Sequence, residues 1–255
     1  MSRYYALTGL VLFTACASST PSERSQAEQK PTAIPANASV SAGKDANAVV
    51  EAALKAAGGR ENLLSIKDLT LAGYVTTSAQ RGASTARLKQ YCVFPNMQRT
   101  EIRGSGPPVN IVVTKEVAFR EVGGVVTDLP APAAEEARQR LQQGGAIPTW
   151  VFLALSNPAA TLTLKAPVEE SGRQLDVIET VDPSGNPLLV YVDASSHLLV
   201  RIRSNESDTE FEDWRAVSRL RYPFKTRIKA KQDVTIEVED AKIDSGVSPE
   251  LFKRP

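Results

Sequence analysis

The chain has 255 residues, 42% of them hydrophobic, and its 30 basic against 29 acidic side chains leave a formal charge of +1. That balance carries no electrostatic footprint for nucleic acid or for an anionic lipid surface. One histidine and two cysteines give no recognisable ligand spacing for a metal centre, and nothing in the composition calls for a cofactor.

Residues 1–15 hold one charge, Arg3, ahead of the apolar run Ala6-Leu7-Thr8-Gly9-Leu10-Val11-Leu12-Phe13-Thr14-Ala15. The run is too short to span a bilayer and ends on small residues before Cys16, which reads as an export signal. The Phe13-Thr14-Ala15-Cys16 box resembles the bacterial lipoprotein signal, with Phe13 where leucine is usual. The resemblance implies that Cys16 receives a diacylglycerol, becomes the first residue of the mature chain and is then N-acylated. The alternative is an ordinary secretory signal with a chance cysteine. Ala17-Ser18 puts no aspartate in second place, and the same resemblance to lipoproteins then implies, in a cell with two membranes, a lipid anchor in the outer membrane facing the periplasm. Each buried methylene contributes about 0.8 kcal/mol, so several acyl chains anchor where one does not. Cys92 would then be the remaining thiol, without a disulfide partner; within Tyr91-Cys92-Val93-Phe94 it reads as buried and inert.

Residues 16–45 are rich in Ser, Ala, Pro, Glu and Gln, and Pro21, Pro31 and Pro35 block regular structure, so they read as a lipidated flexible tether. A single β domain is expected over 46–255. It opens with a helix over 47–57, where Val50, Ala53, Leu54 and Ala57 share a face and Gly58-Gly59 supply the stop. From Lys67 the period becomes two, with Leu69, Leu71, Gly73 and Val75 alternating against Thr70, Ala72, Tyr74 and Thr76. Strand-like runs follow near 85–94, 97–103, 109–115 and 117–128.

A thinly amphipathic helix is expected over 133–143, with Glu135-Glu136 early, Arg138 and Arg140 late and Gly144-Gly145 as its stop. Residues 148–158 are apolar on every side and bracketed by Pro148 and Pro158, so they are expected to be buried all round. Proline in the first turn favours a helix there, although apolarity alone leaves a central strand open. Strands return near 161–167, 173–182, 188–193, 197–204, 208–215, 223–231 and 233–243. The alternation is cleanest at Val234, Ile236 and Val238 against Thr235, Glu237 and Glu239. The count is about eleven or twelve strands with three helices, which fits a curved antiparallel sheet whose concave face the helices cover.

Catalytic groups are sparse, and no catalytic residue is assigned. His197 lies in a hairpin turn, and no nucleophile-elbow motif accompanies it. Glu169-Glu170, Asp208, Glu210, Glu212, Asp213, Glu237, Glu239 and Asp240 read as a solvated outer face of strands rather than as paired acids. Trp150, Phe152, Trp214 and Phe224 are large apolar groups that either fill the core or line a pocket for one apolar ligand.

Two end motifs resemble the outer-membrane lipoprotein carrier (LolA/LolB-like) superfamily. One is the opening helix leading into Ala56-Ala57-Gly58-Gly59-Arg60-Glu61-Asn62-Leu63-Leu64-Ser65-Ile66-Lys67-Asp68-Leu69. The other runs from Tyr222-Pro223-Phe224 through Ile243-Asp244 to Pro249-Glu250-Leu251-Phe252-Lys253-Arg254-Pro255. The likeness implies a mainly β fold, an unclosed antiparallel barrel of about eleven strands with helices in its mouth, holding acyl chains of lipids or lipoproteins. No position matches the family's cavity arginine or protruding apolar loop, so no functional residue is carried over. Trp150, Phe152, Leu155, Phe224, Val234, Ile236 and Val238 are the cavity candidates. The expected partners are the membrane through the anchor, acyl chains and an envelope protein. Two functions stand: a non-catalytic acyl-chain binder, or an interaction or sensor module of an envelope assembly with a filled interior.

Overall fold

The computed structural model describes residues 45–255 apart from 80, 81, 143, 144, 183 and 184. The expected signal segment, Cys16 and the tether up to residue 44 lie outside the described residues, as does Gly144. Asp45 begins the first helix by accepting a hydrogen bond from the Ala48 amide at 2.6 Å, an N-cap worth about 1 kcal/mol. Helix α1 (Ala46–Ala56) buries Val49, Val50, Ala53 and Leu54 along one face. Its end is fixed by close packing: a Cβ on Gly58, at φ +121°, would lie 2.5 Å from the Arg219 carbonyl, and Arg221 donates its amide to Ala57 at 3.0 Å. The short helix α2 (Arg60–Leu64) follows.

The first meander comprises β1 (Asp68–Ala79), β2 (Gly82–Val93), β3 (Met97–Arg103), β4 (Val109–Val113), β5 (Ala118–Val122) and β6 (Val125–Asp128). Helices α3 (Ala131–Gln142) and α4 (Val151–Leu155) interrupt it. The second meander has β7 (Thr163–Leu164), β8 (Val168–Glu170), β9 (Arg173–Val181), β10 (Pro187–Asp193), β11 (Leu199–Arg203), β12 (Asp208–Val217), β13 (Leu220–Lys229) and β14 (Asp233–Ile243). Together they form one 14-stranded antiparallel sheet in the order β6-β5-β4-β3-β2-β1-β14-β13-β12-β11-β10-β9-β7, with β8 also paired to β9. The sheet does not close. The strand count exceeds expectation because the run 117–128 folds back at Gly123 and Gly124, both at positive φ, into two strands. The run 161–167 instead contains only the two-residue β7, and β8 was not foreseen.

β1 and β14 form the seam between the two meanders. Their register shifts between Ala72 and Gly73, where a Cβ on Gly73 would come within 2.1 Å of the Glu237 carbonyl. At the end of the seam Asp68 accepts from the Ser245 amide at 2.8 Å, and Asp244 accepts from the Lys67 amide at 2.7 Å and from Arg219 at 2.6 Å. Burial pushes the Asp244 carboxyl up, but the Lys67 amide, Arg219 and the Asp68 amide outweigh it and hold the group below its ordinary value.

Helices α1 and α4 pack on one face of the sheet, where Val49, Leu54, Leu63, Phe152, Ile178 and Leu199 are fully buried in the main core. Each such side chain stabilises the fold by about 1.5–3 kcal/mol. Helix α3 covers Ile111, Val113 and Ala118 with Ala134, Ala137 and Leu141. The 3₁₀ turn Pro249–Phe252 seats Phe252 against Val112 and Phe119, which alternate with the residues under α3. Residues 148–158 form a 3₁₀ turn and α4, not a strand. They are not buried all round: Val151, Phe152 and Leu155 face the core, whereas Ala154 is exposed and Trp150 and Leu153 are half-buried, because a cleft opens on that side.

Candidate functional site

The cleft lies where the helical layer meets the sheet edge and has a volume of about 720 Å³. Pro148 starts the 3₁₀ turn and Ser156 closes α4 by donating its hydroxyl to the Leu153 carbonyl at 2.8 Å. Between these stops Trp150, Leu153 and Ala154, with the edges of the core-facing Val151 and Leu155, line the cleft. Trp150 is braced from behind by Phe94, with ring centroids 4.8 Å apart. The opposite wall comes from Thr180, Val181 and Asp182 at the end of β9 and from Leu188 on β10. Asp182 holds that turn, accepting from the Asn186 amide at 2.9 Å. Leu64 and Val181, 64% and 54% exposed, are two of the large hydrophobic residues that the fold leaves in water, and both line the cleft.

Of the residues singled out in the sequence, Trp150 and Leu155 line this cleft. Phe152 is fully buried beneath α4, and Phe224 is buried in the same core, with Val238 packed against it. Val234 and Ile236 belong to a separate cluster with Val75, Leu88 and Ile228. These three β14 residues nevertheless share the helix-bearing face, since Val238, Ile236 and Val234 pair with Gly73, Val75 and Thr77 of β1. Sequence reasoning missed Leu64, Val181 and Leu188. The hint was there: Leu64 follows Leu63 in a short helix that can bury one of the pair.

The Cys92 thiol is fully buried and pushed well above its ordinary value by that burial. The strand carboxylates are matched by cations: Glu170, Asp208 and Glu210 surround Arg201, Lys225 meets Glu237, and Arg227 meets Glu212. No group of metal-ligating side chains is found among the described residues.

The open antiparallel sheet carrying helices on one face is a fold shared with solved structures of LolA-like proteins. Among solved structures it is similar to a DUF1329 family protein from Desulfovibrio piger, at 10% identity and TM-score 0.56 over 81% of this chain and 96% of that one. It is also similar to an outer-membrane lipoprotein-sorting protein domain from Vibrio parahaemolyticus, at 8% identity and TM-score 0.54 over 81% and 95%. A third, a LolA superfamily protein from Nitrosomonas europaea, matches at 12% identity and TM-score 0.52 over 83% and 98%. No protein-family model and no curated protein matches the sequence.

Proposed function

We propose that this chain is a non-catalytic lipoprotein of the cell envelope, anchored through Cys16 in the outer membrane, that holds an acyl chain of a lipid or lipoprotein in the cleft beside α4. The observation that carries the reading is the cleft: about 720 Å³, walled mainly by apolar side chains and fronted by the exposed Leu64 and Val181. That size falls within the range of small-ligand sites, and Leu64 and Val181 extend its apolar lining to the mouth. The fold shared with a lipoprotein-sorting domain fits the same reading. The test is mass spectrometry of protein purified from the envelope and, separately, without its signal: copurified acyl lipid supports the reading.

One observation favours the second reading, an interaction or sensor module. The space between α1, α4 and the sheet is packed, with Val49, Phe152 and Leu199 at 0% exposure, so the cleft lies at the margin of the fold rather than through its centre. Absence of copurified lipid, with a partner protein retained in its place, would decide for that module.

A further inference from the structure

We infer that β6, the free edge of the sheet, pairs with β6 of a second copy of this chain across a two-fold axis at Thr127. This surface is distinct from the cleft, and the inference stands apart from the acyl-binding reading.

The two edges of the sheet are built differently. At one of them β9 is covered by two short strands, β7 and β8, with Pro167 between them, so no continuous ladder is presented there. At the other, β6 has β5 as its one strand neighbour among the described residues, runs in unbroken register and carries neither proline nor lysine. Such an edge is a template for another strand. The two-residue turn Gly123-Gly124 makes Val122 and Val125 a hydrogen-bonded pair, and further along the ladder the Leu129 amide donates to the Ala118 carbonyl at 2.9 Å. Val125, Thr127 and Leu129 therefore bond inward to β5. Val126 and Asp128 turn their N–H and C=O groups outward.

That pattern is self-complementary. Setting Thr127 opposite Thr127 of a second copy brings each Val126 opposite the other copy's Asp128, and both pairs can exchange N–H···O bonds in the antiparallel manner. On the helix-bearing face Val125 then meets Leu129 of the second copy. Val125 is 68% exposed, more than any other large hydrophobic residue described, and Leu129 is half-buried against the α3 cluster. On the opposite face the Asp128 carboxylate is already answered by Arg254 at 3.0 Å, so the edges meet without an unpaired charge. Pro130, the next residue that would face outward, has no N–H, so a longer foreign strand finds no further donor beyond Asp128. A strand as short as β6 itself fills the edge. The contact lies below the about 1,200 Å² of a stable complex, so the pair is transient in solution and is measured by trapping.

The test uses the chain from residue 16 with Cys16→Ser, in which the one native thiol left, Cys92, is fully buried. Thr127→Cys is oxidised with copper phenanthroline, and the disulfide-linked dimer is followed on non-reducing gels. Facing residues of a non-hydrogen-bonded pair have Cα atoms about 4.5 Å apart, within disulfide reach, so linking is expected at least about tenfold faster than for Val168→Cys on β8. Val126→Pro removes an outward N–H without touching the β5 ladder and should return the Thr127→Cys chain to the control rate. Should that variant misfold, Val125→Asp, a change at an exposed position, should slow the linking instead. Equal rates at 127 and 168 overturn the pairing, as does fast linking that persists in a folded Val126→Pro or Val125→Asp chain. If the Thr127→Cys chain made with its own signal links to a different envelope protein and not to itself, the edge belongs to a partner strand and self-pairing falls.

Discussion

The Tyr222 hydroxyl donates to the Ala146 carbonyl at 3.0 Å, and both residues are buried. This bond ties β13 to the segment between α3 and α4, 76 residues away in the chain. Burial, with Cys92 nearby, pushes the phenol well above its ordinary value, so it stays a neutral donor throughout the physiological range. Tyr222→Phe strands the Ala146 carbonyl and should cost about 1–3 kcal/mol in urea unfolding. Because Ala146 leads into the turn that carries Trp150, the same variant should weaken any ligand-induced change in Trp150 emission.

The two tryptophans separate cleft from core. Trp150 lines the cleft, whereas Trp214 donates its indole N–H to the Leu199 carbonyl at 3.0 Å and packs against the main core. Adding an acyl lipid should change tryptophan emission in the unmodified protein. Trp150→Ala should diminish that change, and Trp214→Ala should mostly preserve it. The opposite pattern would move the binding site away from α4.

On β14 the two faces should respond differently. Ile236 packs with Val75, Leu88, Ile228 and Val234, so Ile236→Asp sets an unpaired charge among apolar neighbours, at a cost of about 3 kcal/mol or more. Glu237 is exposed and pairs at the surface with Lys225. Glu237→Lys should change stability by no more than about 1 kcal/mol. Thermal melts of the two variants test the register directly.

Asp193 gives a pH signature. Burial pushes its carboxyl up, but hydrogen bonds from the Ser195 and Ser196 hydroxyls and amides win and bring it from 3.8 down to about 2. A depressed folded value stabilises the fold above the unfolded value and loses that stabilisation as pH falls through the folded one. Asp193→Asn should therefore be less stable than the parent at neutral pH, and the gap should shrink between about pH 4 and pH 2. Urea midpoints measured across that range test it; a constant gap would assign the effect to geometry alone.

The anchor is tested by fractionation. Cys16→Ser should abolish acylation, block lipoprotein-specific processing and change the membrane fractionation of the protein. An unaltered distribution, with no acyl chain on the mature N-terminus of the parent, would remove Cys16 from the proposed function.

Regular alternation made much of this fold legible. Leu69, Leu71 and Val75 announced β1, Val234, Ile236 and Val238 announced β14, and Gly58-Gly59 marked the end of α1. The irregular positions were silent. Asp213 adopts φ +54°, and Phe211 and Trp214, three apart rather than two, both pack in or against the main core. Nothing in the local sequence signals that break. The cleft was half legible: residues 148–158 stood out by apolarity, but Leu64 and Val181 look like ordinary core positions until the fold leaves them in water. A surface assembled from segments more than a hundred residues apart has no local period to read.

The β1–β14 seam also bears on when the domain can fold. It joins Lys67 to Asp244, 177 residues apart, and the main core draws on α1 at one end of the described chain and on β13 near the other. Loop closure must precede those contacts, which places this topology among slow, non-local folders. A nascent chain halted before β13 and β14 has β1 paired on one edge alone, by β2, and lacks the β13 residues Leu220, Tyr222 and Phe224 of the core that α1 packs into. The complete sheet and the main core therefore wait for β13 and β14 to emerge.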